Sequence, residues 1–337
     1  MISLPQRRGG GAEKKIARRR KQLNRFMMVD QAMKNLSTPF YSSEELKGPL
    51  SFCEGPDSGF FITDEIGHQI VRIDPDGKLL WKTGEFGNKN GQFHYPTDCA
   101  WDGERLYITD RYNHRIVCLD EQGKTIFSFG KHGKSNAEFN EPYGIAVDPH
   151  GRLFISDSDN QKIKVFSSDG VFQFSFGVPG PGQEYYESRI FKEQSVYKKW
   201  RDDQSRFHTI ESHFFTSAFP LGNLDHPKGL ALEKDLVAVA DYGGRVQIFD
   251  LTGNCRHSHY QKQAEAVSLF SFCQWTAFFM GEIYFTTELS PAILKISSDD
   301  PELFFESEHE IGKFLFRKDG TIFHLSPFEK TIFQVSI

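Results

Sequence analysis

The chain has 337 residues and a formal net charge of −5, and its 38% hydrophobic and 14% aromatic content is enough to bury a large core. No apolar run is long enough to span a membrane, and the N-terminus is charged where a signal peptide needs an apolar stretch, so we expect a cytoplasmic protein without a membrane span. Five scattered cysteines without a C-x-x-C pair predict reduced thiols rather than a disulfide framework or a zinc site: Cys53, Cys99, Cys118, Cys255 and Cys273.

The first predicted element is a basic N-terminal arm, helical or disordered, over residues 1–29. Residues 1–25 hold nine Lys and Arg residues against Glu13 alone, a local charge of +8 that leaves −13 for the remainder. Such an arm suits RNA, an anionic membrane surface or an acidic partner. A solvated tail is the plainer interpretation, and a transit peptide fits the arginine bias but not the scarcity of serine.

The rest of the chain, residues 30–337, is built from repeats. Six copies share a marker position, occupied by Asp64, Asp110, Asp157, Asp241, Thr287 and Ser326. In the first three copies an Ile and two Gly follow the marker at 6, 13 and 20 residues. The markers are spaced by 46, 47, 84, 46 and 39 residues, and an insertion of 38 extra residues explains the long interval. The sequence therefore predicts six units of similar length.

Each unit predicts four short strands. In the third copy they fall near 143–147, 152–156, 162–166 and 171–176, as β-branched or aromatic runs bounded by Gly, Pro, Asn and Asp. A four-stranded antiparallel sheet repeated at this period is typical of a β-propeller blade. We therefore predict an all-β, six-bladed β-propeller. The last copy contains only three strands, so the N-terminal segment is expected to supply the fourth near residues 30–37, where a continuing helix is the alternative.

The stretch FNEPYGIAVDPHGRLFISDSDNQKIKVF, from Phe139 to Phe166, resembles the NHL repeat. The likeness is specific in three copies, fair in the fourth and degenerate in the last two, and it covers residues 49–337 outside the insertion. This resemblance implies a six-bladed NHL propeller. It also places His68 and His114 at the histidine position from which the repeat is named, where we expect them to be structural.

An insertion over residues 178–224 separates the third and fourth blades. Tyr186, Ile190, Tyr197 and Trp200 share one face of a predicted helix within it. Long insertions in compact domains are usually functional or disordered, and this one is rich in aromatic residues. We expect it to pack on the ring and to gate the central channel or contact a partner. Decoration that covers an exposed edge is the alternative.

The repeat aspartates Asp64, Asp110, Asp157 and Asp241 are interpreted as structural, because a carboxylate at the end of a strand accepts backbone N–H groups of the following turn. Among related propellers, peptidylglycine alpha-amidating lyase places zinc-binding histidines directly after certain blade-opening prolines. Here Thr97, Tyr143 and Lys228 occupy those positions. We therefore expect no cofactor and no metal, and His257 with His259 lack a third convergent ligand.

Six residues are predicted to gather at one end of the ring as a binding face: Thr97, Arg111, Tyr112, Tyr143, Lys228 and Tyr242. Tyr and Arg dominate binding hot spots and nucleic-acid stacking platforms, although these residues would also suit a wet channel mouth. The common hydrolase, zincin and P-loop motifs are absent from the sequence. We predict a non-enzymatic scaffold that binds a protein partner. A lyase or hydrolase with a channel-mouth site is the alternative, as in gluconolactonase-like and streptogramin lyase-like propellers, and an RNA-binding protein is a second.

Overall fold

The computed structural model describes residues 37–179, 221–242, 244–260, 273–287, 291–297 and 300–335. Within these ranges it contains six four-stranded antiparallel sheets and one two-stranded parallel sheet. This confirms the prediction of an all-β propeller with six four-stranded blades. The predicted N-terminal arm and the helix predicted in the insertion lie outside the described residues.

The strands follow the chain in order. The ring-closing strand and blade 1 are β1 (Ser37–Ser42), β2 (Pro49–Glu54), β3 (Phe60–Asp64), β4 (Gln69–Ile73) and β5 (Leu79–Thr83). Blades 2 and 3 are β6 (Pro96–Trp101), β7 (Leu106–Asp110), β8 (Arg115–Leu119), β9 (Thr125–Phe129), β10 (Pro142–Val147), β11 (Leu153–Asp157), β12 (Lys162–Phe166) and β13 (Phe172–Phe176). The parallel pair and blade 4 are β14 (Val178–Pro179), β15 (Asn223–Leu224), β16 (Pro227–Glu233), β17 (Leu236–Asp241), β18 (Arg245–Asp250) and β19 (Cys255–Tyr260). Blades 5 and 6 contain β20 (Cys273–Phe279), β21 (Glu282–Thr287), β22 (Ala292–Ser297), β23 (Asp300–Glu306), β24 (Phe314–Phe316), β25 (Ile322–Ser326) and β26 (Thr331–Val335), and short 3₁₀ turns occupy Pro56–Ser58, Arg111–Asn113 and Ser158–Asn160.

Burial follows the position of a strand within its blade. Every residue of β11, the second strand of blade 3, is buried, whereas the outer strand β13 is largely half-exposed. The blade faces are covered by neighbouring blades: Tyr107 and Ile116 of blade 2 pack with Ile155 and Phe166 of blade 3 in one apolar cluster. Each such large apolar side chain contributes roughly 1.5–3 kcal/mol on burial. Stacking of blades therefore supplies the core that a single sheet lacks.

The ring closes through the N-terminal strand, as the three-stranded last copy predicts. β1 pairs with β26 in the sheet order β1-β26-β25-β24, with Ser37 opposite Val335 and Ser42 opposite Thr331. The strand lies later in the chain than the predicted residues 30–37. Pro49 lies seven positions after Ser42, whereas Pro142 lies thirteen positions after Phe129 in a regular repeat. Because the link is shorter, the strand lies later in the chain than the repeat predicts.

The insertion starts from a structure that the other blades also contain. In the loops that enter blades 2 and 3, one parallel β-bridge joins the two sides of the loop: Phe86 with Phe93 and His132 with Phe139. Before blade 4, β14 and β15 form the same kind of parallel pair, and Leu224 is fully buried three residues before the blade-opening proline, as Phe139 is. The insertion thus extends the tip of a regular loop, and residues 180–220 lie outside the described part of the chain.

Candidate functional site

One end of the ring gathers two sets of residues. In each of the first four blades the opening proline pairs with the repeat aspartate, as Pro142 does with Asp157. The residues after the aspartate and those before the proline therefore reach the same end of the ring. We call this end the turn face.

The repeat aspartates hold the loop that enters each blade. Asp110 accepts hydrogen bonds from the backbone N–H of His94 at 2.7 Å and from the side chains of Asn113 and Arg115, both at 2.8 Å. Equivalent backbone bonds run from Gly48 to Asp64, Asn140 to Asp157 and Asp225 to Asp241. The main backbone donors thus lie in the preceding loop rather than in the following turn, where only Gly67 donates to Asp64. Burial raises the pKa of Asp110, and these hydrogen bonds partly oppose the shift.

Two histidines serve the same loops. The imidazole Nδ1 of His68 accepts the backbone N–H of Tyr95 at 3.2 Å, and Nδ1 of His114 accepts that of Glu141 at 3.1 Å. Burial lowers the pKa of both rings, which favours the neutral form that an acceptor nitrogen requires. The geometry is the structural one expected from the repeat.

Arg111 is the centre of the turn face on blade 2. Its guanidinium donates to the Glu141 carboxylate through Nε at 2.9 Å and Nη2 at 2.5 Å, and it lies 3.8 Å from Glu65. It also lies 4.8 Å from the ring of Tyr112 and 5.5 Å from that of Tyr143. Burial, the largest single cause, lowers the pKa of Arg111, but the hydrogen bond and charge of Glu141, together with Tyr112 and Tyr143, raise it overall. The cation is therefore fixed and locally neutralised.

Lys228 approaches the same tyrosine from blade 4. Its ammonium lies 4.2 Å from the ring centroid of Tyr143 and 5.5 Å from that of Tyr242. Beside it, the imidazole of His226 contacts Asp225 at 2.7 Å and Asp159 at 3.9 Å. The hydrogen bond to Asp225 raises the pKa of His226 despite burial. Tyr143 thus lies within cation–π distance of two basic side chains.

Five of the six residues of the predicted binding face meet here, although Tyr143 among them is buried, and the sixth does not reach the surface. Thr97 is fully buried, and its hydroxyl donates to the carbonyl of Tyr95. The sequence analysis missed the carboxylates Glu65, Glu141 and Asp159. Their positions were available as a signal, because Glu65 follows a repeat aspartate and Glu141 precedes an opening proline. Burial raises the pKa of Glu65 and Asp159, which shows that the surface partly desolvates them.

An exposed apolar arc borders this charged centre. Phe328 of blade 6 is 80% exposed, Ile66 and Phe86 of blade 1 are 49% and 64% exposed, and Tyr112 of blade 2 is 37% exposed. Ile66, Tyr112 and Phe328 all stand two residues after a marker residue, so adjacent blades present them on the same face. Apolar side chains clustered in this way are typical of a contact surface.

A buried ion pair lies at the centre of the ring. Asp98 in β6 accepts hydrogen bonds from Lys313 Nζ and Ser51 Oγ, both at 2.5 Å, and from the backbone N–H of Ile145 at 3.0 Å. These groups come from blades 6, 1 and 3. Burial, the largest single cause, lowers the pKa of Lys313, but the charge and hydrogen bond of Asp98, together with the nearby cysteines, raise it overall. Trp275 of blade 5, with its ring 5.1 Å from the Lys313 ammonium, fills the adjoining space.

These central residues occupy one position of the repeat. Lys313 and Asp98 stand where the third and fourth blades carry Gly144 and Gly229. A Cβ atom on Gly144 would lie 2.2 Å from the carbonyl oxygen of Lys228, and one on Gly229 would lie 2.8 Å from Trp275. Glycine at these two positions therefore allows the inner strands of neighbouring blades to approach closely.

A metal site or a ligand cavity would be a second kind of functional site in the described residues. In the described ranges no three His, Cys, Asp or Glu side chains are grouped to hold a metal ion, and His257 and His259 lie 6.4 Å apart on β19. A cavity of about 500 Å³ opens at the other end of the ring. Its carboxylates serve turns, since Asp102 accepts the backbone N–H of Arg105 and Asp148 pairs with Arg152.

The six four-stranded sheets form a six-bladed β-propeller. A family model for the NHL repeat matches residues 139–166, which comprise the first three strands of blade 3. Blade 3 therefore contains an NHL repeat, and the chain as a whole has the fold of a six-bladed β-propeller. No helix in the described part of the chain has the length and apolar character needed to cross a bilayer.

Several known proteins are similar to this chain in sequence or in fold. Protein brain tumor of Drosophila melanogaster is 29% identical over 122 residues, a match that covers 34% of this chain but only 12% of that protein. A streptogramin B lyase structure, 16% identical, covers 89% of this chain and 97% of its own with a TM-score of 0.54. A gluconolactonase from Xanthomonas campestris, 12% identical, covers 91% and 92% with a TM-score of 0.56. At these identities the two enzyme structures share the fold alone.

Proposed function

We propose that this chain is a non-enzymatic binding propeller that engages a protein partner through the turn face. The observation that carries the proposal is the exposed apolar arc of Ile66, Phe86, Tyr112 and Phe328 beside fixed charges. Exposed apolar and aromatic groups next to an ordered polar centre are the composition of a protein contact. The likeness to protein brain tumor extends over part of that protein only and supports the family rather than a particular partner.

The charges of the face favour a protein over RNA. Arg111 is neutralised by Glu141 and Glu65, and His226 lies between Asp159 and Asp225. A phosphate-led interface depends on a surplus of positive charge, which these carboxylates cancel. RNA binding is therefore assigned to the basic residues 1–25 in the alternative hypothesis. A lyase or hydrolase site is the catalytic alternative. The proposed binding protein is located in the cytoplasm, and its insertion contributes to the contact with the partner.

The test compares substitutions of exposed apolar residues at the two ends of the ring. The double variant Ile66→Ser with Phe328→Ser removes two of the four arc residues, and the single variant Met280→Ser, at a residue 79% exposed at the opposite end of the ring, is the control. Affinity capture with quantitative mass spectrometry should show proteins that the wild type and Met280→Ser retain after nuclease treatment and that the double variant loses. We expect at least a tenfold loss, about 1.4 kcal/mol.

Three outcomes would contradict the proposal. If the double variant and the Met280→Ser control lose captured proteins equally, the turn face is not the contact. If nuclease treatment or removal of residues 1–25 abolishes capture, and if binding falls steeply with salt, the RNA hypothesis replaces it. If purified protein turns over a lactone or cyclic peptide and the loss follows turn-face substitutions, the chain is an enzyme.

A further inference from the structure

Two cysteines meet between the first two blades. Cys53 lies in β2 and Cys99 lies in β6, which are the inner strands of blades 1 and 2. Their sulfur atoms are 3.3 Å apart, and Cys99 Sγ lies 3.7 Å from the carbonyl of Phe61. A disulfide bond is ~2.05 Å long. The two sulfurs therefore need to approach by little more than an ångström to bond.

The two thiols differ in their access to solvent. Cys99 is 1% exposed within the cluster formed by Phe61, Ile108 and their neighbours, whereas Cys53 is half-exposed at its edge. An oxidant in solution therefore reaches Cys53 first. Cys99 is placed behind it, within contact of any oxidised sulfur at that position.

Positive charge stands next to the pair. Burial raises the pKa of Cys99, and the ammonium of Lys313 partly opposes this shift. Lys313 is held in place by Asp98, which directly precedes Cys99 in the chain. The fixed Lys313 cation thus partly offsets the cost of forming the Cys99 thiolate that a disulfide requires.

We propose that Cys53 and Cys99 are a redox modification site that forms a disulfide on contact with a hydroperoxide. The Cys53 thiolate attacks the peroxide oxygen, the O–O bond breaks, and protonation releases water or an alcohol to leave a sulfenic acid. The Cys99 thiolate then attacks the Cys53 sulfur, the S–O bond breaks, and hydroxide leaves as water. Two thiols lose two electrons in total, and these reduce one peroxide.

The bond would join the inner strands of two blades. It encloses the rest of blade 1, because β3, β4 and β5 lie between the two cysteines in the chain. Cross-linking over a loop of this length restricts the unfolded chain more than the native ring. The oxidised protein should therefore melt at a temperature higher by ~4 °C or more, and a reductant should reverse the change.

The test uses the full chain and hydrogen peroxide. A non-reducing digest of the treated wild type should contain one peptide pair joined through Cys53 and Cys99 and lighter by two hydrogens. In Cys99→Ser, a dimedone adduct should accumulate at Cys53, because the second thiol is missing. Cys118→Ser removes another buried thiol of blade 2 and is the matched control, which should form the linked pair as the wild type does.

The wild-type digest decides the proposal even if a serine variant fails to fold. Peroxide treatment that converts Cys53 to a sulfinic acid without linkage would overturn it. So would linkage of Cys53 to Cys255 or to a second molecule in amounts equal to the predicted pair.

Discussion

Replacing His324 with phenylalanine should remove a large part of the acid sensitivity of this propeller. His324 is fully buried in β25, where its ring stacks on Phe333 at 5.2 Å, and neither of its nitrogens has a hydrogen-bond partner. Burial lowers its pKa from 6.5 to about 3, and the neighbouring His309 adds to the shift. The unfolded chain therefore binds a proton near pH 6.5, whereas the folded chain does not until the pH is far lower.

The sign of the effect follows from this difference. His324 costs no proton-linked stability above pH 6.5, and stability is lost progressively as the pH falls from 6.5 toward 3. One pKa unit corresponds to ~1.36 kcal/mol, so the loss between pH 7 and pH 5 amounts to about 2 kcal/mol. Phenylalanine keeps an aromatic ring against Phe333 and cannot take up a proton. Burial also lowers the pKa of His68, His114 and His259, but these residues are common to both proteins.

The assay is urea unfolding at pH 7 and pH 5, followed by tryptophan fluorescence. The free energy of unfolding of the wild type should fall by ~2 kcal/mol more than that of His324→Phe over this interval. His150, a solvent-exposed turn residue, provides the histidine-to-phenylalanine control, which should follow the wild type. Equal losses in the wild type and in His324→Phe would refute the assignment of His324 as a buried neutral imidazole.

Three further predictions concern the ring itself. Lys313→Met leaves Asp98 as a buried carboxylate without its ion-pair partner, so the free energy of unfolding in urea should fall by ~3–5 kcal/mol, and adding Asp98→Asn should restore most of it. A fall below about 1 kcal/mol would argue against a tight ion pair. Gly144→Ala places a Cβ 2.2 Å from a backbone oxygen and should destabilise by ~1–3 kcal/mol, whereas an unchanged urea midpoint would mean that the inner strands yield easily. Deleting residues 1–42 removes β1 from blade 6 and should lower the melting temperature by ~5 °C or more in calorimetry, and an unchanged melt would deny it a closing role.

Much of the fold could be predicted because the repeat places the same residue types at the same offsets. Asp157 and the glycines that follow it define strand ends, and three strong copies allow the weak copies marked by Thr287 and Ser326 to be aligned. The position of β1 could not be predicted in the same way. It depends on the length of the link to Pro49, which belongs to no repeat.

The candidate site was harder to predict, because its partners come from different blades. Asp98 and Lys313 form an ion pair across the ring. Both stand at a position where other blades carry glycine, but the last copy of the repeat is too weak for its sequence to reveal that Lys313 occupies this position. The spacing of Cys53 and Cys99 is 46 residues, one repeat, and this alone places them on adjacent blades. The scattered appearance of the cysteines in the sequence concealed that neighbourhood. Glu65 and Glu141 flank a repeat aspartate and an opening proline, but nothing in the sequence shows that both meet Arg111.

The pairing of β1 with β26 means that the ring can close only late in synthesis. Blades 1 to 5 each consist of contiguous chain and can form as they emerge, whereas β1 is made first and its partner β26 last. Thr38 donates to the carbonyl of Gln334, 296 residues away. Throughout synthesis β1 thus remains an unpaired strand edge, the kind of edge that invites pairing with other chains. A chaperone that covers residues 37–42 until β26 has been synthesised would keep this edge from pairing with other chains.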